Sequence, residues 1–141
     1  RSKDLSRIDF SAHIRNMTNH LLRSYGVGGD CIRVNIDSEQ TYLDINTAIP
    51  LGLIVNELVS NAIKHGFKGI KKGEISIGFH KSRDTYTLSV SNNGNKFPDG
   101  LDLGNSTTLG LELVSSLTKQ LKGVITMTTG DVTEFRLEFS A

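Results

Sequence analysis

The chain has 141 residues, a formal net charge of +1, 37% hydrophobic residues and 22% charged residues. This is the size and composition of a single globular domain, and the balanced charge excludes the basic surface typical of proteins that bind nucleic acid or anionic membranes. No apolar run approaches the about 18 residues of a membrane span, and a single cysteine, Cys31, permits neither an internal disulfide nor a cysteine metal cluster.

The first third of the chain predicts one helix and two strands. Residues 1–8 are charged and are predicted to be an upstream linker to a domain at residues 9–141. Apolar residues recur with helical spacing from Asp9 to Gly26, which predicts a helix that ends at the glycine. The segments CIRVNID and TYLDI then alternate in hydrophobicity, and they are predicted strands that could pair with each other across residues 37–40.

A long middle helix is predicted next. Asn46 or Thr47 would cap it, with Pro50 tolerated in its first turn, and it would run to about His65 before Gly66. One side of this helix is apolar and is therefore predicted to be buried. That stripe comprises Leu51, Val55, Leu58, Val59 and Ala62.

The second half of the chain predicts two strand pairs separated by a long loop and a helix. GEISIGFH and TYTLSVSN are strands joined by KSRD, and residues 93–108 have little periodicity and predict a long loop. The last helix, LGLELVSSLTKQLKG, ends at Gly123, and the strands GVITMTT and TEFRLEFS follow it. The predicted fold class is α+β, a two-layer α/β sandwich with three main helices on one face of a mixed, largely antiparallel sheet.

A second side of the middle helix is polar. At about 100° per residue, Glu57, Asn61 and Lys64 lie within roughly 60° of one another, with His65 at their edge. A solvated helix surface explains this stripe, and so does a magnesium–phosphate site. Carboxylate and amide oxygens suit a hydrated magnesium ion, and a lysine one turn further on would meet a phosphate as a point charge.

Four segments in order resemble the motifs of a known family. NELVSNAIKHGF, residues 56–67, resembles the N box of the histidine-kinase catalytic domain, which belongs to the Bergerat-fold ATPase superfamily. VSNNGNKFPDG lies where that family has its first glycine box. TLGLELVSSLTKQLKG resembles the second glycine box, and GDVTEFRLEF resembles the closing glycine–threonine strand. The resemblance covers about residues 9–139 and implies a Bergerat-type sandwich of the short-lid branch, with a nucleotide lid at about 93–108.

The resemblance also implies roles for individual residues. Asn61 looks like the magnesium ligand, and Glu57 looks like the catalytic residue that holds a metal-bound or attacking water. Lys64 and His65 would lie by the phosphates and ribose. The other implied nucleotide-binding residues are Asn92 and Gly94 at the adenine, Lys96 near the phosphates, Leu109, Gly110 and Leu111 at a helix N-terminus, and Thr133 near the adenine.

The sequence departs from the family pattern at four positions. Asn92 replaces an aspartate that accepts a hydrogen bond from the adenine amine, and Lys96 replaces the second glycine of the first box. Thr107 or Thr108 stands where the second box has an extra glycine, and Val132 replaces the glycine before Thr133. A neutral amide at Asn92 is expected to weaken ATP binding by about 0.5–1.5 kcal/mol and to relax the discrimination against guanine.

The implied function is that of the ATP-binding catalytic domain of a two-component sensor histidine kinase. Such a domain transfers the γ-phosphoryl group of Mg-ATP to a histidine. The candidate acceptors are His13, His20, His65 and His80. His13 and His20 share a face of the first helix but lack the family's phosphoacceptor context, and His80 ends a strand. The acceptor is therefore expected on a separate upstream dimerisation domain, and the chain alone is not expected to autophosphorylate.

The implied cofactors are ATP and Mg²⁺, and the implied partners are the upstream domain and a response regulator, without nucleic acid or direct membrane contact, in the cytoplasm. Two alternatives stay open. One is a degenerate module that binds ATP weakly or not at all and has a regulatory or interaction role. The other is a related ATPase or a kinase that phosphorylates a serine on a regulatory protein.

Overall fold

The computed structural model describes residues 7–25, 32–66, 73–94 and 109–140. Its helices are α1 (Phe10–Ser24), α2 (Ile45–Asn61), which continues into a π-helical turn at Ala62–Gly66, and α3 (Leu109–Gln120). Its strands are β1 (Arg7–Asp9), β2 (Ile32–Ser38), β3 (Tyr42–Asp44), β4 (Gly73–Ser82), β5 (Thr85–Asn92), β6 (Val124–Thr128) and β7 (Thr133–Ser140). Arg7 and Ile8, which the sequence assigns to the linker, are thus part of β1.

One layer of the molecule is a five-stranded mixed sheet in the order β2-β4-β5-β7-β6. Strands β2 and β4 are parallel, and the other neighbouring pairs are antiparallel. The face that carries every second residue of the central strands is buried under the helices, which include the fully buried Phe10, Ile14, Leu51 and Val114. The predicted α+β sandwich with three helices over a mixed sheet is therefore confirmed.

The predicted pairing of CIRVNID with TYLDI is wrong. Strand β2 pairs in parallel with β4, from Ile32 opposite Gly73 to Ser38 opposite Phe79. Strand β3 instead pairs with β1 in a separate two-stranded sheet. The connection from β2 to β4 contains α2, and a helical crossover of this kind joins parallel strands because it must carry the chain back along the sheet.

The start of α2 also differs from the prediction. Neither Asn46 nor Thr47 is the N-cap, because Asp44 holds that position and its Oδ1 accepts a hydrogen bond from the Asn46 N–H at 2.8 Å. The helix therefore begins at Ile45, and Pro50 lies one turn deeper than expected. The predicted buried stripe of α2 is confirmed, since all five of its residues are buried. Within the described ranges, no helix is long and apolar enough to cross a bilayer.

The two ends of the central strands differ in chemistry. At one end, four aromatic rings form a continuous row, with centroid distances of 5.1 Å from Phe10 to Phe79, 5.7 Å from Phe79 to Tyr86 and 5.2 Å from Tyr86 to Phe139. Such contacts close that end as core. At the opposite end, the same buried face of β5 and β7 carries two polar residues, Asn92 and Thr133. The candidate site lies at this polar end.

Candidate functional site

The polar stripe of α2 lies beside the polar end of the sheet. Glu57 and Asn61 are half-buried, and Lys64 is exposed. Strand β5 contacts both α2 and the π-helical turn that follows it. Because that turn is wider than an α-helical one, Lys64 and His65 are rotated relative to the regular spacing that the sequence predicts. Single π-helical turns within α-helices are frequent at functional sites.

The amide of Asn61 has an unusual environment. Its Nδ2 is buried without a hydrogen-bond partner, and no other buried side-chain atom of the described residues is in that situation. Buried polar side-chain atoms are nearly always paired, because burying one unpaired costs about 1–3 kcal/mol. Among the described residues, the Asn61 Nδ2 is thus the buried donor that is left without an acceptor.

Lys64 has a neighbour that the sequence does not reveal. Its Nζ lies 5.8 Å from the ring centroid of Tyr25, which follows the last residue of α1. A cation at this distance from an aromatic ring is attracted to it electrostatically. Tyr25 is therefore a neighbour of the exposed Lys64, which lies within the π-helical turn. The backbone of His65 lies in that turn, and its side chain is outside the described part of the structure.

Asn92 and Thr133 form the polar floor of the site. They are directly opposite each other in the β5–β7 ladder, and Ile75 of β4 is opposite Asn92 on the other side. Asn92 is 4% exposed and Thr133 is 2% exposed. Neither the Asn92 Nδ2 nor the Thr133 hydroxyl hydrogen-bonds to a protein group in the described structure. The row therefore places two polar groups that have unused hydrogen-bonding capacity in the described structure beside the buried Ile75.

The backbone after β5 is fixed by two asparagines. The Gly94 N–H donates a hydrogen bond of 3.0 Å to the Asn92 Oδ1. The neighbouring Asn93 is tied to β4, because its Oδ1 accepts from the Glu74 N–H at 2.8 Å and its own N–H donates to the Glu74 carbonyl at 3.2 Å. The Asn-Asn-Gly sequence therefore ties the chain to β4 at the point where β5 ends.

The other predicted nucleotide-binding positions are described only in part. Leu109 and Gly110 begin α3, and their side chains lie outside the described structure. Leu111 is buried in the core. Lys96, Thr107 and Thr108 also lie outside the described residues, as does the predicted lid from residue 95 onward.

The donor set fits magnesium, which the resemblance implies. Glu57 and Asn61 offer a carboxylate and an amide oxygen one helical turn apart. The described residues contain no cluster of three or more histidine, cysteine, aspartate or glutamate side chains that could hold a metal ion alone. Magnesium is usually held in this way, by one or two protein oxygens together with waters and substrate phosphates.

Comparison with known proteins places most of this chain in one family. Residues 46–141 match the family described as histidine kinase-, DNA gyrase B-, and HSP90-like ATPase. Blue-light-activated histidine kinase 2 of Erythrobacter litoralis is 27% identical over 104 residues, which are 73% of this chain and 30% of that protein. Sensor histidine kinase PdtaS of Mycolicibacterium smegmatis is 34% identical over 98 residues, which are 68% of this chain and 20% of that protein.

Solved structures have the same fold. The histidine kinase domain of the Erythrobacter litoralis EL346 blue-light activated histidine kinase superposes with a TM-score of 0.86 at 23% identity, covering 94% of this chain and 61% of that one. Histidine kinase AdeS of Acinetobacter baumannii superposes with a TM-score of 0.74 at 21% identity, covering 95% of this chain and 66% of that one. The chain spans 30% or less of the two curated relatives, so it corresponds to one part of each.

Proposed function

Because the chain belongs to the histidine kinase-, DNA gyrase B-, and HSP90-like ATPase family, we propose that it is the ATP-binding catalytic domain of a sensor histidine kinase. In this proposal it supplies the γ-phosphoryl group of Mg-ATP to a histidine on a separate dimerisation domain. The curated relatives that match two thirds or more of the chain carry histidine kinase names, and they support this reading over a serine kinase. The match to serine-protein kinase RsbW of Listeria innocua covers 33% of the chain.

The observation that carries the proposal is the unpaired amide of Asn61 at the polar end of the sheet. A buried amide N–H without a protein acceptor is explained by a ligand oxygen that accepts from it, such as a phosphate oxygen or a metal-bound water. The Asn61 Oδ1 would hold the magnesium ion, and Glu57, one turn earlier on the same helix, would orient a metal-bound water or the attacking group. A bound magnesium ion would neutralise charge that develops on the phosphates during transfer.

The remaining residues of the site would hold the nucleotide. The base would lie against the row of Ile75, Asn92 and Thr133, with Gly94 allowing close approach of the backbone. Lys64 and His65 would lie toward the phosphates and ribose, with Lys96 reaching the phosphates. The backbone N–H groups of Leu109, Gly110 and Leu111 open α3, and a helix N-terminus favours an anion. Catalysis would then consist of positioning and charge stabilisation.

The test is the binding of a non-hydrolysable ATP analogue, measured by calorimetry with magnesium and with a chelator. The native protein is expected to bind with micromolar to millimolar affinity in magnesium and more weakly in chelator. Asn61→Ala is expected to lose most of the magnesium-dependent part of the affinity, because the amide oxygen proposed to bind magnesium directly is removed.

Asn56→Ala is the matched control. Asn56 is a half-buried asparagine on the same helix, but it lines a groove with His13 and Leu53 on the α1 side, away from the polar stripe. Its loss is expected to leave the affinity unchanged. Absence of binding at millimolar nucleotide would overturn the kinase proposal in favour of a degenerate module, and full magnesium dependence in Asn61→Ala would show that the metal ligand is another residue.

A further inference from the structure

The orientation of the Asn92 side chain is fixed by the protein. Its Oδ1 accepts a hydrogen bond from the Gly94 N–H at 3.0 Å. The reversed amide would place an N–H group against another N–H group, so only this orientation satisfies the turn. Asn92 is also 4% exposed and packed between β4 and β7, which restricts rotation of the whole side chain. The group that stays without a protein partner in the described structure is the Nδ2 amide, which is a hydrogen-bond donor.

A carboxylate at this position would behave differently. It has two acceptor oxygens, so one can satisfy the Gly94 N–H while the other accepts a hydrogen bond from a ligand. An amide has a single oxygen, which the Gly94 N–H holds on one side, and an NH2 donor where a carboxylate has its second oxygen. The substitution of amide for carboxylate therefore does more than remove a charge, because it replaces a free acceptor by a free donor at the same place.

Whether residue 92 presents a hydrogen-bond donor or an acceptor decides which base fits. The 6-amino group of adenine is a donor, whereas the 6-oxo group of guanine and hypoxanthine is an acceptor. A donor on the protein opposes the first and pairs with the second. Leaving a buried donor without an acceptor costs about 1–3 kcal/mol, so the difference is large enough to change the preference between bases.

We propose that Asn92 sets base selection, and that its fixed N–H donor makes 6-oxopurine nucleoside triphosphates ligands of this site at least as good as ATP. The inference rests on the proposed function, because it takes the row of Ile75, Asn92 and Thr133 as the place of the base and Asn92 as the residue facing its 6-substituent. It concerns the residue that determines specificity and leaves the proposed phosphate and magnesium contacts unchanged.

The test compares ATP with ITP, whose base hypoxanthine carries a 6-oxo group in place of the 6-amino group and lacks the 2-amino group of guanine. Dissociation constants of both nucleotides are measured by calorimetry, in magnesium, for the native protein and for Asn92→Asp. The native protein is expected to bind ITP as tightly as ATP or more tightly. In Asn92→Asp the free acceptor returns, and the ratio of affinities is expected to move toward ATP by about tenfold or more.

Asn93→Asp is the matched control. It introduces the same negative charge one residue further on, at an exposed side chain whose Oδ1 already accepts from the Glu74 N–H. Its ratio of ITP to ATP affinity is expected to equal that of the native protein. A shift of the same size in this control would overturn the inference, because it would show that charge alone changes the preference.

The remaining outcomes separate the two proposals. If no nucleoside triphosphate binds the native protein at millimolar concentration, the proposed function fails and this inference fails with it. If both nucleotides bind but Asn92→Asp leaves their ratio unchanged, only the inference fails. Should Asn92→Asp not fold, the native protein is titrated with purine riboside triphosphate, which lacks a 6-substituent. ITP binding more tightly than this analogue supports the donor, and equal or weaker binding overturns it.

Discussion

At the scale of single residues, three buried threonines of the described structure differ in whether the hydroxyl is hydrogen-bonded. The Thr118 Oγ1 donates a hydrogen bond of 2.7 Å to the Val114 carbonyl, and the Thr18 Oγ1 does the same to the Ile14 carbonyl at 2.8 Å. The hydroxyl of Thr133 has no such partner among the described residues, although Thr133 is equally buried. A hydroxyl at the polar end of the sheet that makes no hydrogen bond within the described structure is available to a ligand.

Thr133→Val tests this distinction. The replacement keeps the shape and removes only a hydroxyl that makes no hydrogen bond to a described residue, so the free energy of unfolding is expected to stay about unchanged. Nucleotide affinity is expected to fall about three- to tenfold. Denaturant unfolding and calorimetric titration measure the two effects.

Thr118→Val is the control with the opposite pattern. It removes a hydroxyl that is paired within α3, so it is expected to lower stability by about 0.5–1.5 kcal/mol and to leave nucleotide affinity unchanged. A clear loss of stability in Thr133→Val with no loss of affinity would assign that hydroxyl to the fold and not to the site.

At the scale of elements, Gly123 at the end of α3 has a second role that the sequence does not reveal. The sequence predicts that Gly123 stops the helix. In the structure the left-handed residue is Lys122, with φ of 57°, and the Gly123 N–H donates to the Thr118 carbonyl at 3.0 Å. Glycine is needed at 123 because the chain passes close to β7. An added Cβ would lie 2.8 Å from the Glu138 carbonyl oxygen and 3.1 Å from the Phe139 Cβ.

Gly123→Ala is therefore expected to destabilise the protein by about 1–3 kcal/mol, because the backbone of β7 must move to admit the methyl group. Gly52→Ala in α2 is the control. Its Cβ would approach the Nε2 of His13, the end of an exposed side chain that can turn away, and alanine favours a helix by about 0.8–1 kcal/mol over glycine. Thermal unfolding should show a lower midpoint for the first variant and an equal or higher midpoint for the second. Equal midpoints for the two variants would contradict the packing argument.

At the scale of the whole molecule, the domain corresponds to a part of its longer relatives. The proposed reaction needs an acceptor histidine. Of the histidines whose side chains are described, His13 and His20 are exposed on α1 and His80 is exposed near the end of β4, beside Asp37 at 3.4 Å. All three are surface residues of elements other than those that carry the polar stripe. The acceptor is accordingly proposed to come from a separate domain.

Measuring phosphohistidine formation tests whether the acceptor histidine lies on a separate domain. With γ-labelled ATP, the chain alone is expected to incorporate no acid-labile phosphate, whereas the chain joined to an upstream dimerisation and phosphoacceptor domain is expected to become labelled. Glu57→Gln in the joined protein is expected to slow labelling by about 10²–10⁴-fold, the typical contribution of a general acid or base, with ATP affinity nearly unchanged. Glu138→Gln, an exposed glutamate on β7, serves as the control. Labelling of His13 or His20 in the chain alone would contradict the separate acceptor.

The sequence by itself determined what depends on neighbours along the chain. The buried stripe and the polar stripe of α2 follow from helical spacing, because residues one turn apart necessarily share a side of the helix. The strands of the β4–β5 hairpin and their buried faces follow from alternation in the same way. The order of the motifs indicated the family, which the match over residues 46–141 confirms.

Only the tertiary structure decided which distant residues meet. Alternation marks a strand but not its partner, so the parallel pairing of β2 with β4 was missed and a local hairpin was predicted in its place. The folded sheet also sets the register that places Asn92 opposite Thr133. The hydrogen bond from the Gly94 N–H to the Asn92 Oδ1 is likewise visible only in the structure. A residue's type limits which hydrogen bonds it can make, but the partners already present in the fold decide which of them is left for a ligand.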